Sequence, residues 1–251
     1  MTGRAPLIQR IAASVERRAQ KVQGKGAGGH SVEAEVRTAL AFLPPSGAIV
    51  LDIGANKGLW SRAMLREAGT RLARLVAFEP SRHNWAAIEA ISDPRFSLVR
   101  QGVAERNGSA ELHMDEPGSG LASLSKRNLD HVGLEMREHE TVELTTLDSF
   151  AAAHGIERID FMKLDIEGHE LAALHGSEGL LKSGAIRALS FEFGGSNIDT
   201  RTFFRDFWLL LSGYGFTIWR IVPGSAPVRI GQYHERLECF ATTNFIAKLN
   251  R

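Results

Sequence analysis

The chain has 251 residues, 43% of them hydrophobic and 24% charged, which is enough for one α/β domain with a well-buried core. A net charge of +1 gives no electrostatic case for nucleic acid as the main partner, and the lone Cys239 excludes a disulfide framework or a cysteine-rich zinc site. No apolar run reaches bilayer-spanning length and the first residues lack the apolar centre of a secretory signal, so a cytoplasmic protein is expected.

Arg4, Arg10, Arg17, Arg18, Lys21 and Lys25 crowd the first 25 residues, with Glu16 the only acid among them. Leu7, Ile8, Ile11, Ala12 and Val15 make a helical stripe beside them. A helix packing one face on the body or on a second subunit is expected, with peripheral contact to a membrane surface as the alternative. Residues 23–29 form a glycine-rich joint, so residues 1–31 separate from a domain over 32–251. In that domain a helix over 32–43 ends at Pro44-Pro45, and a strand over 49–53 leads to a helix over 59–68. A strand over 75–79 and a helix over 82–91, capped by Ser81, come next; a short strand over 96–100 exits through 102–104. Residues 108–146 differ, because 110–114 and 141–145 alternate like half-exposed strands around a polar loop at 119–126. This insertion is placed to cover a cofactor or shape an acceptor pocket. After a short helix over 148–154, a strand over 159–165 ends in an acid and opens helical pieces toward His175 and residue 184. A strand over 188–193, a helix over 203–211 and late strands over 216–221 and 240–247 complete the chain. Alternating βα units with a strand-rich end predict a mostly parallel sheet with one antiparallel edge hairpin.

The run over 49–58, Ile-Val-Leu-Asp-Ile-Gly-Ala-Asn-Lys-Gly, reads as a buried strand ending in a glycine turn, with Gly54 and Gly58 permitting a close backbone course. Glu79, at the end of the next strand, is placed to hydrogen-bond ribose hydroxyls, so an adenosine-containing cofactor is expected. A dinucleotide fingerprint would need glycines where Asn56 and Leu59 stand. Tyr214 and Tyr233 are followed four positions later by Ile218 and Leu237 rather than lysine, which leaves an NAD(P)-dependent oxidoreductase as a weak alternative.

Three segments resemble the FkbM family of class I S-adenosylmethionine-dependent methyltransferases: VLDIGANKG at 50–58, AFEPSRHN at 77–84 and FMKLDIEGHE at 161–170. TTLDSF at 145–150 supports them, and the likeness covers residues 32–246. It implies a Rossmann-like, seven-stranded, mostly parallel sheet with helices on both faces, the basic amino-terminal helix lying outside as an extension. It also implies S-adenosylmethionine as cofactor and methyl transfer to oxygen, with a hydroxyl of a small molecule, sugar or glycan as acceptor. Asp52, Gly54, Asn56 and Gly58 would then border the methionine part of the cofactor, Glu79 the ribose, and Val103 and Ala104 the adenine.

Asp165 stands at the carboxyl end of a strand, where open α/β sheets place their ligands, and would touch both cofactor and acceptor. Glu167 and His169 follow within one turn, and His169 is the best candidate for a general base because imidazole titrates near neutrality. Alternatively Asp165, Glu167 and Glu192 hold a magnesium ion that lowers the hydroxyl's pKa. Glu170 is expected only to cap the following helix. A non-catalytic partner protein that binds the cofactor without turnover is the rival reading.

Overall fold

The computed structural model describes residues 6–26, 28, 32–222 and 224–250; Arg4 and residues 27 and 29 of the expected joint lie outside the described residues. The chain begins with helices α1 (Leu7–Val22) and α2 (Val32–Leu40), then strand β1 (Ala48–Ile53) and helix α3 (Leu59–Ala68). Next are β2 (Leu72–Phe78), α4 (Arg82–Glu89), β3 (Phe96–Val99) and β4 (Gly102–Val103). The insertion carries β5 (Gly108–Met114) and β6 (Glu138–Thr145), followed by α5 (Leu147–Ala153) and β7 (Phe161–Leu164). Helices α6 (Glu170–His175) and α7 (Glu178–Ser183) lead to β8 (Ala188–Phe193), α8 (Ser196–Thr200) and α9 (Phe204–Gly213). Strands β9 (Phe216–Arg220), β10 (Val228–Ile230) and β11 (Thr243–Leu249) end the chain.

Eight strands form one sheet in the order β10-β9-β11-β8-β7-β1-β2-β3. The pairs from β8 through β7, β1 and β2 to β3 are all parallel. Strand β11 inserts antiparallel between β8 and β9, which gives the expected Rossmann-like arrangement its reversed strand. The eighth strand, β10, is a half-exposed three-residue edge, too short for an alternation signal to register. Strands β5 and β6 pair antiparallel as the alternation over 110–114 and 141–145 predicts, and β4 adds to β6 to make a separate three-stranded sheet.

Parity along the strands decides what faces what. Leu51 and Ile53 of β1, with Met162 and Leu164 of β7, enter the large apolar cluster that includes Phe150, Leu174, Phe191 and Phe207. Ala48 and Val50, with Phe161, pack on the opposite side against Val36, Trp60 and Met64 of α2 and α3. By the same alternation Asp52 and Lys163, which are register partners, project toward α2 and α3.

The expected packing of the α1 stripe on the body does not occur: no residue of α1 is buried. What docks is the joint that follows. Gly24 is buried at φ +78, where a Cβ would meet the Ile221 carbonyl oxygen at 2.5 Å, and Arg220 Nε donates to the Gln23 carbonyl at 2.6 Å. Among the described residues no helix is long and apolar enough to cross a membrane.

Candidate active site

A cavity of about 460 Å³ opens over the carboxyl ends of β1, β2 and β7. Strands β1 and β7 are neighbours where the chain order reverses, the switch point at which open α/β sheets bind ligands, and the volume suits a small molecule.

One wall is the glycine turn and the end of β2. Gly54 adopts φ +82, and a Cβ there would stand 1.9 Å from the Asp165 carbonyl oxygen, so glycine lets the ends of β1 and β7 close on each other. Asn56, also left-handed at φ 49, donates its backbone N–H to Glu79 Oε2 at 2.7 Å. Glu79 Oε1 accepts from Ser81 N at 3.0 Å and Asn84 Nδ2 at 3.2 Å. Burial lifts the Glu79 pKa to about 7 despite these three donors. Val103 lies on the same cavity.

The other wall carries Asp165, Glu167 and His169. Glu167, in left-handed backbone at φ 53, accepts from Arg127 Nη1 at 2.5 Å; burial first, then Asp165, raises its pKa to about 7 against the pull of Arg127. His169 Nε2 lies 3.1 Å from Ser125 Oγ, and burial lowers its pKa, which keeps the ring neutral at pH 7. Glu170 accepts from the backbone of Ile166 at 2.9 Å and Gly168 at 3.2 Å, so it ties the loop ahead of α6 and does not line the cavity.

Beneath this wall runs a buried ionic net. Lys163 Nζ donates to Asp165 Oδ2 at 2.9 Å and lies 3.7 Å from Asp52 Oδ1. Burial disfavours the Lys163 ammonium, but Asp165, Asp52 and Glu35 outweigh it and hold its pKa above the ordinary lysine value. Glu35, from α2, reaches the cavity as well, and burial raises its pKa to about 7. Burial with repulsion from Asp165, Glu167 and Glu170 lifts Glu192 to about 9.

Of the residues expected at the site, Gly54, Asn56, Glu79, Val103, Asp165, Glu167 and His169 line one cavity; Asp52, Gly58, Ala104 and Glu192 do not. Strand parity turns Asp52 to the α3 side, fully buried, where Oδ2 accepts from Ser61 Oγ at 2.6 Å. Gly58 is the N-cap of α3, and Ala104 donates its N–H to the Thr145 carbonyl. Glu192 lies in a narrow cleft beside the cavity, shared with Glu35, Lys163, Asp165 and Asn244. Glu35 and Arg127 were not singled out by the sequence. Glu35 was detectable in principle, since it falls on the inward stripe of Val32, Val36 and Ala39. Arg127 carries no pattern, because loop contacts have no period.

The insertion forms the roof. Leu112, Ser119, Gly120, Ala122, Ser123 and Leu124 line the cavity. Ser123 Oγ donates to the Glu167 carbonyl at 2.8 Å, Asn56 Nδ2 donates to the Ser119 carbonyl at 3.3 Å, and Arg127 joins Glu167 to Asp199.

The sheet order, the cavity at its switch point and the acids on both walls define a Rossmann-like, ligand-binding α/β protein. The family model for the methyltransferase FkbM domain matches residues 52–218, and the chain belongs to that family. Among curated proteins, the 2-O-methyltransferase NoeI of Sinorhizobium fredii is 25% identical over 58% of this chain and 63% of its own length. The methyltransferase sdnD of Sordaria araneosa is 30% identical over 53% of this chain and 61% of its own length. The chain thus matches less than two thirds of each of these relatives. A crystal structure of methyltransferase FkbM from Methylobacillus flagellatus aligns at TM-score 0.48 and 14% identity, over 93% of this chain and 60% of that one.

Proposed function

We propose that this chain transfers a methyl group from S-adenosylmethionine to an oxygen of a small-molecule, sugar or glycan acceptor. The observation that carries this reading is that one cavity joins Glu79, backed by the Gly54–Asn56 turn, to Asp165 and His169 on the opposite wall. The bound cofactor supplies an electrophilic methyl on a positively charged sulfur. Glu79 Oε1 is filled by Ser81 N and Asn84 Nδ2, while Oε2 accepts only from Asn56 N and keeps a lone pair for a ribose hydroxyl; the buried carboxylates near Asp165 favour a cationic ligand. The Asp165 side chain is 42% exposed and would accept from the acceptor hydroxyl or the ligand's amino group. His169, whose pKa burial lowers, would accept the acceptor's hydroxyl proton as its oxygen takes the methyl group and the carbon–sulfur pair stays with the departing thioether. Transfer to oxygen, rather than to another atom, is supported by the family and by the name of the 2-O-methyltransferase relative.

A second reading has one specific observation behind it: carboxylate oxygens of Asp165, Glu167 and Glu192 lie within 4.8 Å of one another, which suits oxygen ligation of a divalent ion. Lys163 and Arg127 already neutralise two of the three, so we favour the metal-independent route. Dialysis against a chelator leaves turnover intact under the first reading and abolishes it, with rescue by magnesium, under the second. Calorimetry with S-adenosylmethionine and its demethylated product tests the cofactor; no binding of either rejects the proposal. Asp165→Ala should abolish turnover on a panel of labelled glycan acceptors while the fold persists, and full activity would show that the site lies elsewhere.

A further inference from the structure

We propose that α1 is an interfacial helix that seats this protein on an anionic lipid bilayer. Its apolar side is uncovered: Leu7 is 70% exposed, Ile8 73%, Ile11 55%, Val15 62% and Val22 78%. At 100° per residue these five span one continuous arc, with Arg18 inside it between Leu7 and Ile11, and with Arg10, Arg17 and Lys21 on the flank adjoining Leu7. No ion pair forms at these four cations among the described residues, and Glu16 is the only acid on the helix.

That charge pattern selects the occupant. A second copy of α1 laid along the same arc would bring four more cations against these and offer one carboxylate in exchange, the opposite of the paired charges that flank helix–helix seams. An anionic bilayer takes both parts of the helix at once, the apolar arc below the headgroups and the cations at the phosphate level. The anchorage of α1 fits the same use. The joint residues Gly24 and Gly26 sit against Ile221, Val222 and Ala241. Gly26 N donates to Thr243 Oγ1, and Thr243 is paired with Phe193 at the carboxyl end of β8. The body therefore hangs from α1 by the rim that holds the cavity, and Val32 and Glu35 on the cavity wall follow next in the chain. A surface-bound acceptor would be presented to that rim.

The test is co-sedimentation of the full chain with phosphatidylcholine vesicles, with and without phosphatidylglycerol. Binding is expected only to the anionic vesicles and should be lost in high salt. Arg10→Ala/Arg17→Ala should weaken it roughly 30-fold, from the usual contribution per surface cation, and Ile8→Glu/Ile11→Glu should abolish it. Both variants should keep the thermal unfolding midpoint, since the altered side chains touch nothing in the body. No binding to anionic vesicles, or binding that both variants retain, overturns the proposal. So does a dimer, seen by light scattering, that Ile8→Glu/Ile11→Glu dissolves in a protein that ignores vesicles; that outcome assigns the arc to a second copy. A nucleic-acid duplex that shifts with the same cations while vesicles do not overturns it equally. Vesicle binding reads α1 alone, so it stands or falls separately from methyl transfer on soluble acceptors.

Discussion

Lys163→Met is the sharpest probe of the net beneath the cavity. Asp52 is 0% exposed, and its Oδ1 has no hydrogen-bond partner, so the ammonium 3.7 Å away is what balances that oxygen. Ser61 satisfies only the other oxygen, at 2.6 Å. Removing one member of a buried pair and leaving the other charged costs about 3–5 kcal/mol. Asp165 also loses its partner, but its side chain is 42% exposed and water can reach it, so its share is within about 1 kcal/mol. Methionine has similar length and no charge, so packing changes little, and a loss of about 3 kcal/mol at pH 7.5 is expected, a large part of the stability of an ordinary domain. Urea unfolding followed by circular dichroism measures it. The deficit should narrow toward acid pH, because a protonated Asp52 needs no counter-charge. Asp52→Asn/Lys163→Met should recover most of the loss, since no charge is then stranded. A loss under about 1 kcal/mol for the single variant, or no recovery in the double one, refutes the assignment of Asp52 and Lys163 as a coupled buried pair.

Gly54→Ala puts an L-residue into left-handed backbone, costing about 1–2 kcal/mol, and drives a methyl against the Asp165 carbonyl. Affinity for S-adenosylmethionine should fall at least about tenfold by calorimetry, and unchanged affinity would show that the turn does not shape the site. His169→Gln should lower kcat by about 10²–10⁴ while leaving cofactor affinity alone; an equal loss in both would make His169 a binding residue instead. The ligand-free protein should lose stability as pH rises. Burial lifts Glu35, Glu79, Glu167 and Glu170 from 4.5 to about 7, and Glu192 to about 9. The folded state thus holds more protons than the unfolded chain above pH 4.5, and that stability disappears as pH rises through 7 to 9. His169, with its pKa lowered by burial, opposes the trend only below its ordinary range near 6.5. The urea midpoint should therefore be higher at pH 6.5 than at pH 8.5, and the reverse order would contradict the burial of these acids.

The parallel core of the fold was legible because its strands are short apolar runs, each closed by an acid or a glycine. β1 ends in Asp52-Ile53-Gly54, and β7 leads into Asp165. The late part was less so. β11 begins at Thr243, later than its apolar run suggests, because Phe240 packs on Phe193 outside the ladder. α1 misled in the other direction: its stripe has the period of a packed helix, and period alone does not say whether a body is there to receive it.

Within the site, what could be read was the order of residues and what could not was their facing. Asp52, Lys163 and Glu192 occupy three strands far apart in sequence, yet registers Asp52↔Lys163 and Lys163↔Ser190 bring them to one side of one sheet. Only that shared parity turns an acid that resembles a cofactor ligand into the buried partner of a lysine. It also explains the role of α2. Val32, Val36 and Ala39 hold the helix on the same side, and Glu35 in that stripe accepts from Asn244 Nδ2 at 3.4 Å and feels the field of the Lys163 ammonium without pairing with it. A carboxylate on the inward stripe of a helix would be destabilising against hydrocarbon alone, so its presence there predicts a cation beneath it. Glu35 thus points to Lys163, and Lys163 to Asp165, the acid it holds at the cavity floor. Glu35→Leu would remove one of the three carboxylates that keep Lys163 charged without stranding an acid. It should leave the fold intact and weaken binding of the cationic cofactor more than binding of its neutral demethylated product. Equal loss for the two ligands would mean that Glu35 acts through shape and not through charge.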